Sequence, residues 1–368
     1  MLKNKNIIIS VIGMGYVGLP LANSLANNFR TIGYDINKKK ILKLKNGEDE
    51  TNENKKINKK LIFSSNFNDL KKTNVFILCL PTPVDINKKP DLTILKNCLK
   101  SLSQIIKNQD TIIIESTFYP GTTENLIKKY ISNKNKKINI GYSPERINPG
   151  DKKNTIKNIT KVISANNSNT LILMKKIYGS INNNNVFSAE SIKVAEAAKL
   201  IENVQRDLNI GLMNELTKIF NKSNISIHDV LEASNTKWNF LNFRPGLVGG
   251  HCIGVDPYYL KLFCKKLSFE PKVFMSARNT NENMIFYYKN VISKYLSKKK
   301  KILYLGIAFK ENTNDLRNSK YFELMKILSK KYLMDIFDPV VEYERMNFRK
   351  KLIQKKPIYD VIILAVPH

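Results

Sequence analysis

No run of about 18 uninterrupted apolar residues, the length a membrane-spanning helix needs, occurs anywhere in the 368 residues of this chain. Residues 1–10 pass from a short basic start straight into Ile7, Ile8 and Ile9, without a signal-peptide cleavage pattern. The expectation is a cytoplasmic protein with no membrane partner. Cysteine is sparse: Cys79, Cys98, Cys252 and Cys264 lie far apart, no two form a C-x-x-C pair, and only three histidines accompany them. Neither a disulfide framework nor a metal site follows from that pattern, and reduced thiols are expected. Glycine is scarce too, at 15 residues, so any cluster of it carries information. There is no fixed-period repeat, no coiled coil and no low-complexity linker beyond Lys/Asn stretches.

Lysine is what abounds. The formal net charge is +30, with 61 Lys and Arg against 31 acidic residues, a balance that can advertise nucleic acid. The lysines, however, are interleaved with asparagine and isoleucine throughout, and no aromatic spacing beside them would build a stacking platform. The charge therefore reads as compositional drift, with no nucleic-acid partner. Arginine is the exception to the drift. Arg146, Arg206, Arg244 and Arg317 fall inside or beside the segments that look chemical, where lysine cannot replace a planar bidentate donor for phosphate or carboxylate without loss.

A chain of this length with 42% hydrophobic residues can bury ordinary cores in two or three domains. In the first 150 residues, β-branched runs alternate with helical patterns: Ile7 to Ile12, Thr31 to Tyr34, Val75 to Leu80, Thr111 to Ile114 and Ile138 to Gly141 read as strands. Alternating βα units predict a parallel, doubly wound sheet. From Ala189 to about Asn221 runs one long helical pattern with no proline, suited to linking domains and to carrying a dimer interface. Residues 226–298 read as helices broken by a loop at Asn242 to Gly254. At Lys301 the strand, glycine, helix order returns: strand Ile302 to Leu305, helix from about Ser319 to Lys330, strand Met334 to Phe337 and strand Val361 to Val366. The expected parts are residues 1–188, 189–298 and 299–368. Three strands make a small layer, so the second sheet is expected to be cut short.

Gly13, Gly15 and Gly18 form G-M-G-Y-V-G directly after a strand and before a helix, and Asp35 ends the next strand. This is the dinucleotide fingerprint of a Rossmann-type α/β fold in its full context. The glycines let the backbone, with Met14, Tyr16 and Val17 between them, approach a pyrophosphate, and the aspartate accepts from ribose hydroxyls. A carboxylate at Asp35 also favours NAD over its 2′-phosphorylated form. Two further strand ends carry the loops Pro81-Thr82-Pro83 and Glu115-Ser116-Thr117, each of which is a turn or a binding loop.

The segment Phe243 to Asp256 gathers four of the 15 glycines around Cys252, with Asp256 four residues on. Two readings stand: a glycine-rich turn with a buried cysteine, or a reactive thiol approached closely by backbone. Beside a nicotinamide site a thiolate has a natural use. It adds to the aldehyde made by alcohol oxidation, the hemithioacetal gives up a second hydride, and water cleaves the thioester. Lys199 and Asn203, one helical turn apart in an alanine-rich stretch, are a solvated pair or an oxyanion clamp.

The segments IGMGYVGLPLA, PTP, ESTFYPGTTE, YSPERINPG, EAAKLIENVQRDLNIGLMNEL, RPGLVGGHCIGVDPYYL and GIAFKENTNDLRNS, in that order, resemble the UDP-glucose/GDP-mannose dehydrogenase family along essentially the whole chain. The resemblance implies an N-terminal NAD-binding domain, a helical middle domain whose long helix forms a homodimer, and a C-terminal sugar-nucleotide domain. It also implies Cys252 as nucleophile, Lys199, Asn203 and Asp256 as polarising and proton-moving groups, and Thr117 and Glu145 as handlers of the hydrolytic water. Gly13, Met14, Gly15, Tyr16, Val17, Gly18, Asp35, Lys40, Thr82, Ser116, Thr117 and Arg317 would contact NAD. Glu145, Arg146, Lys199, Arg244, Gly249 and Lys310 would contact a UDP-activated amino sugar. Family enzymes acting on UDP-glucose usually carry lysine where this chain has Val255, so the loop is similar to the branch that oxidises UDP-N-acetylglucosamine or UDP-N-acetylgalactosamine for capsule and O-antigen. Family members continue some tens of residues past the strand ending here in LAVPH. An NAD-binding remnant without activity, and an enzyme for UDP-glucose or GDP-mannose, are the alternatives.

Overall fold

A computed structural model describes residues 6–51, 56–131, 136–147, 151, 153–296, 300–341 and 359–368. The chain forms two compact units, one of Met1–Ile201 with Tyr258–Phe263 and the other of Glu202–Pro257 with Cys264–His368.

The first unit is built on eight strands: β1 (Ile8–Ile12), β2 (Arg30–Tyr34), β3 (Ile62–Ser64), β4 (Val75–Leu78), β5 (Thr111–Ile114), β6 (Asn139–Tyr142), β7 (Lys161–Ala165) and β8 (Val186–Ser188), in the order β3-β2-β1-β4-β5-β6-β7-β8. Between them run α1 (Gly18–Leu25), α2 (Lys38–Lys45), α3 (Thr93–Ile105), α4 (Thr122–Ile131) and α5 (Ser168–Gly179). Every residue of β4 and β5 is buried, as in a sheet covered on both faces, and this explains why these strands read as unbroken apolar or β-branched runs. The core packs Val11, Val75, Ile77 and Ile113 of the sheet against Leu21 and Leu25 of α1 and Met174 and Ile177 of α5. The expected doubly wound sheet is present with one departure: β7 runs antiparallel to β6, pairing Gly141 with Ala165. Strands β3, β7 and β8 were not among those read from the sequence. Two of them are only three residues long, and β7 opens with a buried lysine.

The long helix α6 (Ile192–Lys222) has 31 residues. Near its start the fully buried Glu196 accepts hydrogen bonds from Gly121 N at 2.5 Å and Thr123 N at 2.8 Å, capping the amides at the start of α4. Burial pushes its carboxyl up to about 7. The folded chain therefore holds this proton to about pH 7, while an unfolded glutamate releases it near pH 4.3. Between those values the folded state binds more protons, and its stability falls as pH rises. In Glu196→Gln that part of the pH slope is expected to vanish from urea-unfolding curves, and a slope equal to that of the parent chain would contradict the assignment.

The second unit holds α7 (Ile227–Ser234), α8 (Asp256–Lys266, whose residues Tyr258–Phe263 pack in the first unit), α9 (Val273–Tyr295) and α10 (Lys320–Ser329). It also holds β9 (Lys301–Leu305), β10 (Leu333–Phe337) and β11 (Val361–Leu364) in the parallel order β10-β9-β11. Its core joins Ile302 and Tyr304 of β9 to Leu324, Met325 and Leu328 of α10 and Met284 and Ile285 of α9. Ser319 caps α10, accepting from Phe322 N at 3.1 Å while donating to Ile307 O at 2.7 Å. Among the described residues no helix is long and apolar enough to cross a membrane.

Candidate active site

The glycine turn joins β1 to α1. Gly13, at φ +101°, donates to Tyr34 O at 2.8 Å, and a Cβ placed on Gly18 would stand 1.9 Å from Gly13 O. The turn closes only without that atom. A Cβ on Gly15 would meet nothing within 4 Å, so this backbone faces open space where a pyrophosphate fits against the start of α1. Asp35, at the end of β2, accepts from Met14 N at 3.0 Å, Asn37 N at 2.9 Å and Lys40 Nζ at 3.1 Å. These groups fit a dinucleotide: an open backbone turn suits phosphate, a carboxylate at the end of β2 suits ribose hydroxyls, and the Lys40 cation stands against that carboxylate. Gly18→Ala is expected to weaken NAD binding by roughly tenfold or more, read by NADH fluorescence titration with circular dichroism as the folding control. An unchanged dissociation constant would contradict the assignment.

The two other strand-end loops form one rim. Thr82 Oγ1 donates to Thr117 O at 3.2 Å, Ser116 Oγ donates to Leu80 O at 2.6 Å, and the Tyr259 hydroxyl of α8 donates to Thr82 O at 3.0 Å.

Behind that rim lies a charged group of side chains with almost no solvent. Lys161 of β7 pairs with Glu115 at 2.8 Å and with Glu145 at 3.1 Å. Glu145 Oε1 also accepts from Arg146 N and Ile147 N, both at 2.6 Å, and the Tyr178 hydroxyl donates to Glu115 at 2.6 Å. Burial pushes Glu115 up to about 7. It pushes Glu145 up as well, but Lys161 and the two amides prevail and hold that carboxyl below its ordinary value. Arg146 itself is exposed and donates to Thr160 O at 2.9 Å. Lys161 and Tyr178 had not been singled out from sequence. The only local signal was a lysine opening the apolar run Val162-Ile163.

Lys199 of α6 is 8% exposed and has no hydrogen bond or ion pair among the described residues. Asn203 is buried too, but its amide is already engaged, donating to Asp256 Oδ2 at 2.5 Å. A clamp formed by Lys199 and Asn203 was one expectation; the bond to Asp256 uses one of the two N–H donors of the Asn203 amide.

Cys252 is exposed, which removes the reading of a glycine turn around a buried thiol. All four cysteines are described and none is in a disulfide. Its carbonyl accepts from Val255 N at 3.0 Å and Asp256 N at 2.9 Å, the turn from which α8 starts. Ahead of it, Gly250 N donates to Asn318 O at 3.2 Å, and a Cβ on Gly249 would stand 2.5 Å from that same oxygen. The loop is thus seated on the segment after β9. There His251 Nε2 lies 3.0 Å from Asp315 Oδ2, and Asp315 also binds Arg317 through Nε at 2.9 Å and Nη2 at 2.6 Å. Burial opposes the charge on Asp315, but His251 and Arg317 outweigh it and hold that carboxyl well below the usual range. Arg317 remains 62% exposed, Lys310 sits 5.8 Å from the Phe309 ring centre, and Arg244 is exposed. Among the described residues no group of three or more His, Cys, Asp or Glu is arranged to hold a metal. His251 and Asp315, which tie the cysteine loop to the Arg317 segment, escaped the sequence reading although both flank residues it named.

A doubly wound sheet, a glycine turn facing open space and an aspartate at the end of β2 define a dinucleotide-dependent oxidoreductase. Comparison with known proteins carries this further. The chain belongs to the UDP-glucose/GDP-mannose dehydrogenase family: the family's NAD binding domain matches residues 7–182, its central domain residues 193–283 and its UDP binding domain residues 303–368. It is therefore an NAD-dependent nucleotide-sugar dehydrogenase. Protein CapL of Staphylococcus aureus is 44% identical, the match covering 99% of this chain and 90% of that one. The UDP-N-acetyl-D-glucosamine 6-dehydrogenase of Salmonella typhi is 43% identical over 98% of this chain and 89% of its own length. Among solved structures, the UDP-D-ManNAc dehydrogenase of Pyrococcus horikoshii superposes with a TM-score of 0.83 at 27% identity, covering 98% of this chain and 89% of that one.

Proposed function

We propose that the protein oxidises the C6 alcohol of a UDP-N-acetylhexosamine, UDP-N-acetylglucosamine or its galacto epimer, to the uronate for a surface polysaccharide. The observation that carries this reading is the exposed thiol of Cys252 in the turn that leads into α8, four residues before an Asp256 held by the Asn203 amide. The similarity to UDP-N-acetyl-D-glucosamine 6-dehydrogenases at 43% and 42% identity supports the substrate class, as does the buried, uncharged Val255 in the cysteine loop.

NAD+, when bound, would supply the hydride acceptor for two successive oxidations. Gly13, Met14, Gly15, Tyr16, Val17, Gly18, Asp35, Lys40, Thr82, Ser116, Thr117 and Arg317 bind it. Asp256 takes the proton as the alcohol becomes an aldehyde. The Cys252 thiolate then adds to the carbonyl carbon, Lys199 and Asn203 stabilise the oxyanion, and loss of the second hydride leaves a thioester. Water, oriented by Thr117 and Glu145, releases the acid. Glu145, Arg146, Lys199, Arg244, Gly249 and Lys310 hold the sugar nucleotide. Residues 1–188 serve the cofactor, 189–298 carry the cysteine loop and a homodimer contact through α6, and 299–368 bind the UDP portion. A cytoplasmic enzyme meets both NAD+ and nucleotide sugars.

The test mixes the purified chain with NAD+ and, separately, UDP-N-acetylglucosamine, UDP-N-acetylgalactosamine, UDP-glucose and GDP-mannose, following NADH. Two equivalents of NADH per amino sugar are expected. Turnover on UDP-glucose or GDP-mannose alone would transfer the assignment to that sugar, and NAD binding with no turnover would leave an inactive remnant.

A further inference from the structure

We propose that Lys161 is the positioning residue for thioester hydrolysis, fixing the Glu145 carboxylate from a buried place on β7 while Glu115 occupies its other side. The inference rests on the reading that Glu145 handles the hydrolytic water.

A carboxyl removed from water takes up a proton unless a cation or several donors compensate it. Here two carboxyls and one ammonium share a site whose side chains are at most 10% exposed. One lysine can neutralise only one of the two glutamates. The donors decide which. Glu145 receives two backbone amides at 2.6 Å in addition to Lys161, and fixed amide dipoles favour the ionised form. Glu115 receives, besides Lys161 at 2.8 Å, one phenolic hydroxyl from Tyr178 and no backbone amide, and burial pushes its carboxyl up to about 7, so that it is mostly protonated below that pH. The neighbouring Cys79 thiol is pushed up by burial and adds no anion near neutrality. Glu145 is left as the ionised base, and Lys161 both keeps it so and fixes its orientation.

Stability gives a weak reason for such a triad, since apolar side chains of similar volume often serve a buried position as well or better. Ile163, two residues on and on the same face of β7, is apolar and buried. The chemistry supplies a stronger reason. In hydrolysis the water oxygen bonds to the thioester carbon, its proton passes to the Glu145 carboxylate, and the C–S bond breaks with its electron pair leaving on the Cys252 sulfur. The product acid then loses its second proton to solvent. A protonated or swung-out Glu145 cannot take the first proton.

The experiment uses the full chain with NAD+ and UDP-N-acetylglucosamine. It compares the NADH burst, steady-state turnover and intact-protein mass for Glu145→Gln, Lys161→Arg, Lys161→Met and the double variant Lys161→Met/Glu115→Gln. The double variant leaves no second buried carboxyl and remains readable where Lys161→Met fails to fold. Expected are a burst close to that of the parent, steady-state turnover reduced by about 100-fold or more, an acyl adduct on Cys252 by mass, and recovery of most turnover in Lys161→Arg. An adduct in Glu145→Gln but none in the double variant overturns the role of Lys161 alone. No adduct in Glu145→Gln overturns the reading of Glu145 itself. Burst and steady state slowed equally, with no adduct, make Lys161 a structural residue and also overturn the proposal.

Discussion

Cys252→Ala is expected to reduce steady-state oxidation of the nucleotide sugar by roughly three orders of magnitude or more, the scale seen when a covalent nucleophile is removed, while leaving NAD binding intact. The loop around the thiol is held by backbone: Gly250 N on Asn318 O, and Val255 N and Asp256 N on the Cys252 carbonyl. None of these bonds needs the sulfur, and Cys252 is exposed, so the substitution leaves no cavity. The glycine turn and Asp35 are untouched, and NADH fluorescence should titrate as for the parent chain. What disappears is the covalent route from aldehyde to acid. Any NADH still formed should fall to at most one equivalent per sugar, with aldehyde as the product. Retention of two equivalents at the parent rate would remove Cys252 from the reaction altogether.

The largest stability effect is expected at Arg278 of α9. Its guanidinium is fully buried and donates from Nη1 to Asp207 Oδ1 at 2.8 Å, and Asn281 Nδ2 donates to the same oxygen at 2.7 Å. Burial pushes Asp207 up to about 6 even with the arginine in place. Arg278→Met leaves that carboxyl without its cation, a loss of about 3–5 kcal/mol for a broken buried pair, against a total of about 5–15 kcal/mol for a typical domain. Adding Asp207→Leu removes the stranded charge and should recover most of the loss. Urea unfolding of the single and double variants measures both numbers. Equal midpoints for parent and Arg278→Met would show that the pair is energetically idle. Arg278 Nη1 also lies 3.6 Å from where a Cβ on Gly254 would stand, so the single variant should loosen the cysteine loop as well.

Much of the architecture was legible because it is local. Strands β4 and β5 announce themselves as unbroken apolar or β-branched runs, since burial on both faces removes the need for polar alternation, and β1, β2 and β6 as shorter ones. The glycine turn is legible because its three glycines, strand and helix are contiguous. The antiparallel course of β7 has no such trace: Lys161 to Ala165 would look the same in either direction. The site divides along the same line. Cys252 stood out through glycine clustering, but the commitment of the Asn203 amide to Asp256, 53 residues away, comes only from folding. So does the convergence of Lys161 on Glu115 and Glu145, 46 and 16 residues distant. Lys161 is one lysine in a chain crowded with them, and composition hides it.

The four thiols differ in a way that makes the protein its own titration reagent. Burial pushes the Cys98 thiol up to about 12 and raises those of Cys79 and Cys264 as well. These three hold their protons at neutral pH, and a protonated thiol is a poor nucleophile. Cys252 alone stands exposed. A limiting amount of an alkylating agent should therefore label Cys252 ahead of the other three, with one label per chain by intact mass, and an excess of NAD+ and nucleotide sugar should slow that labelling if the thiol is the one the reaction uses.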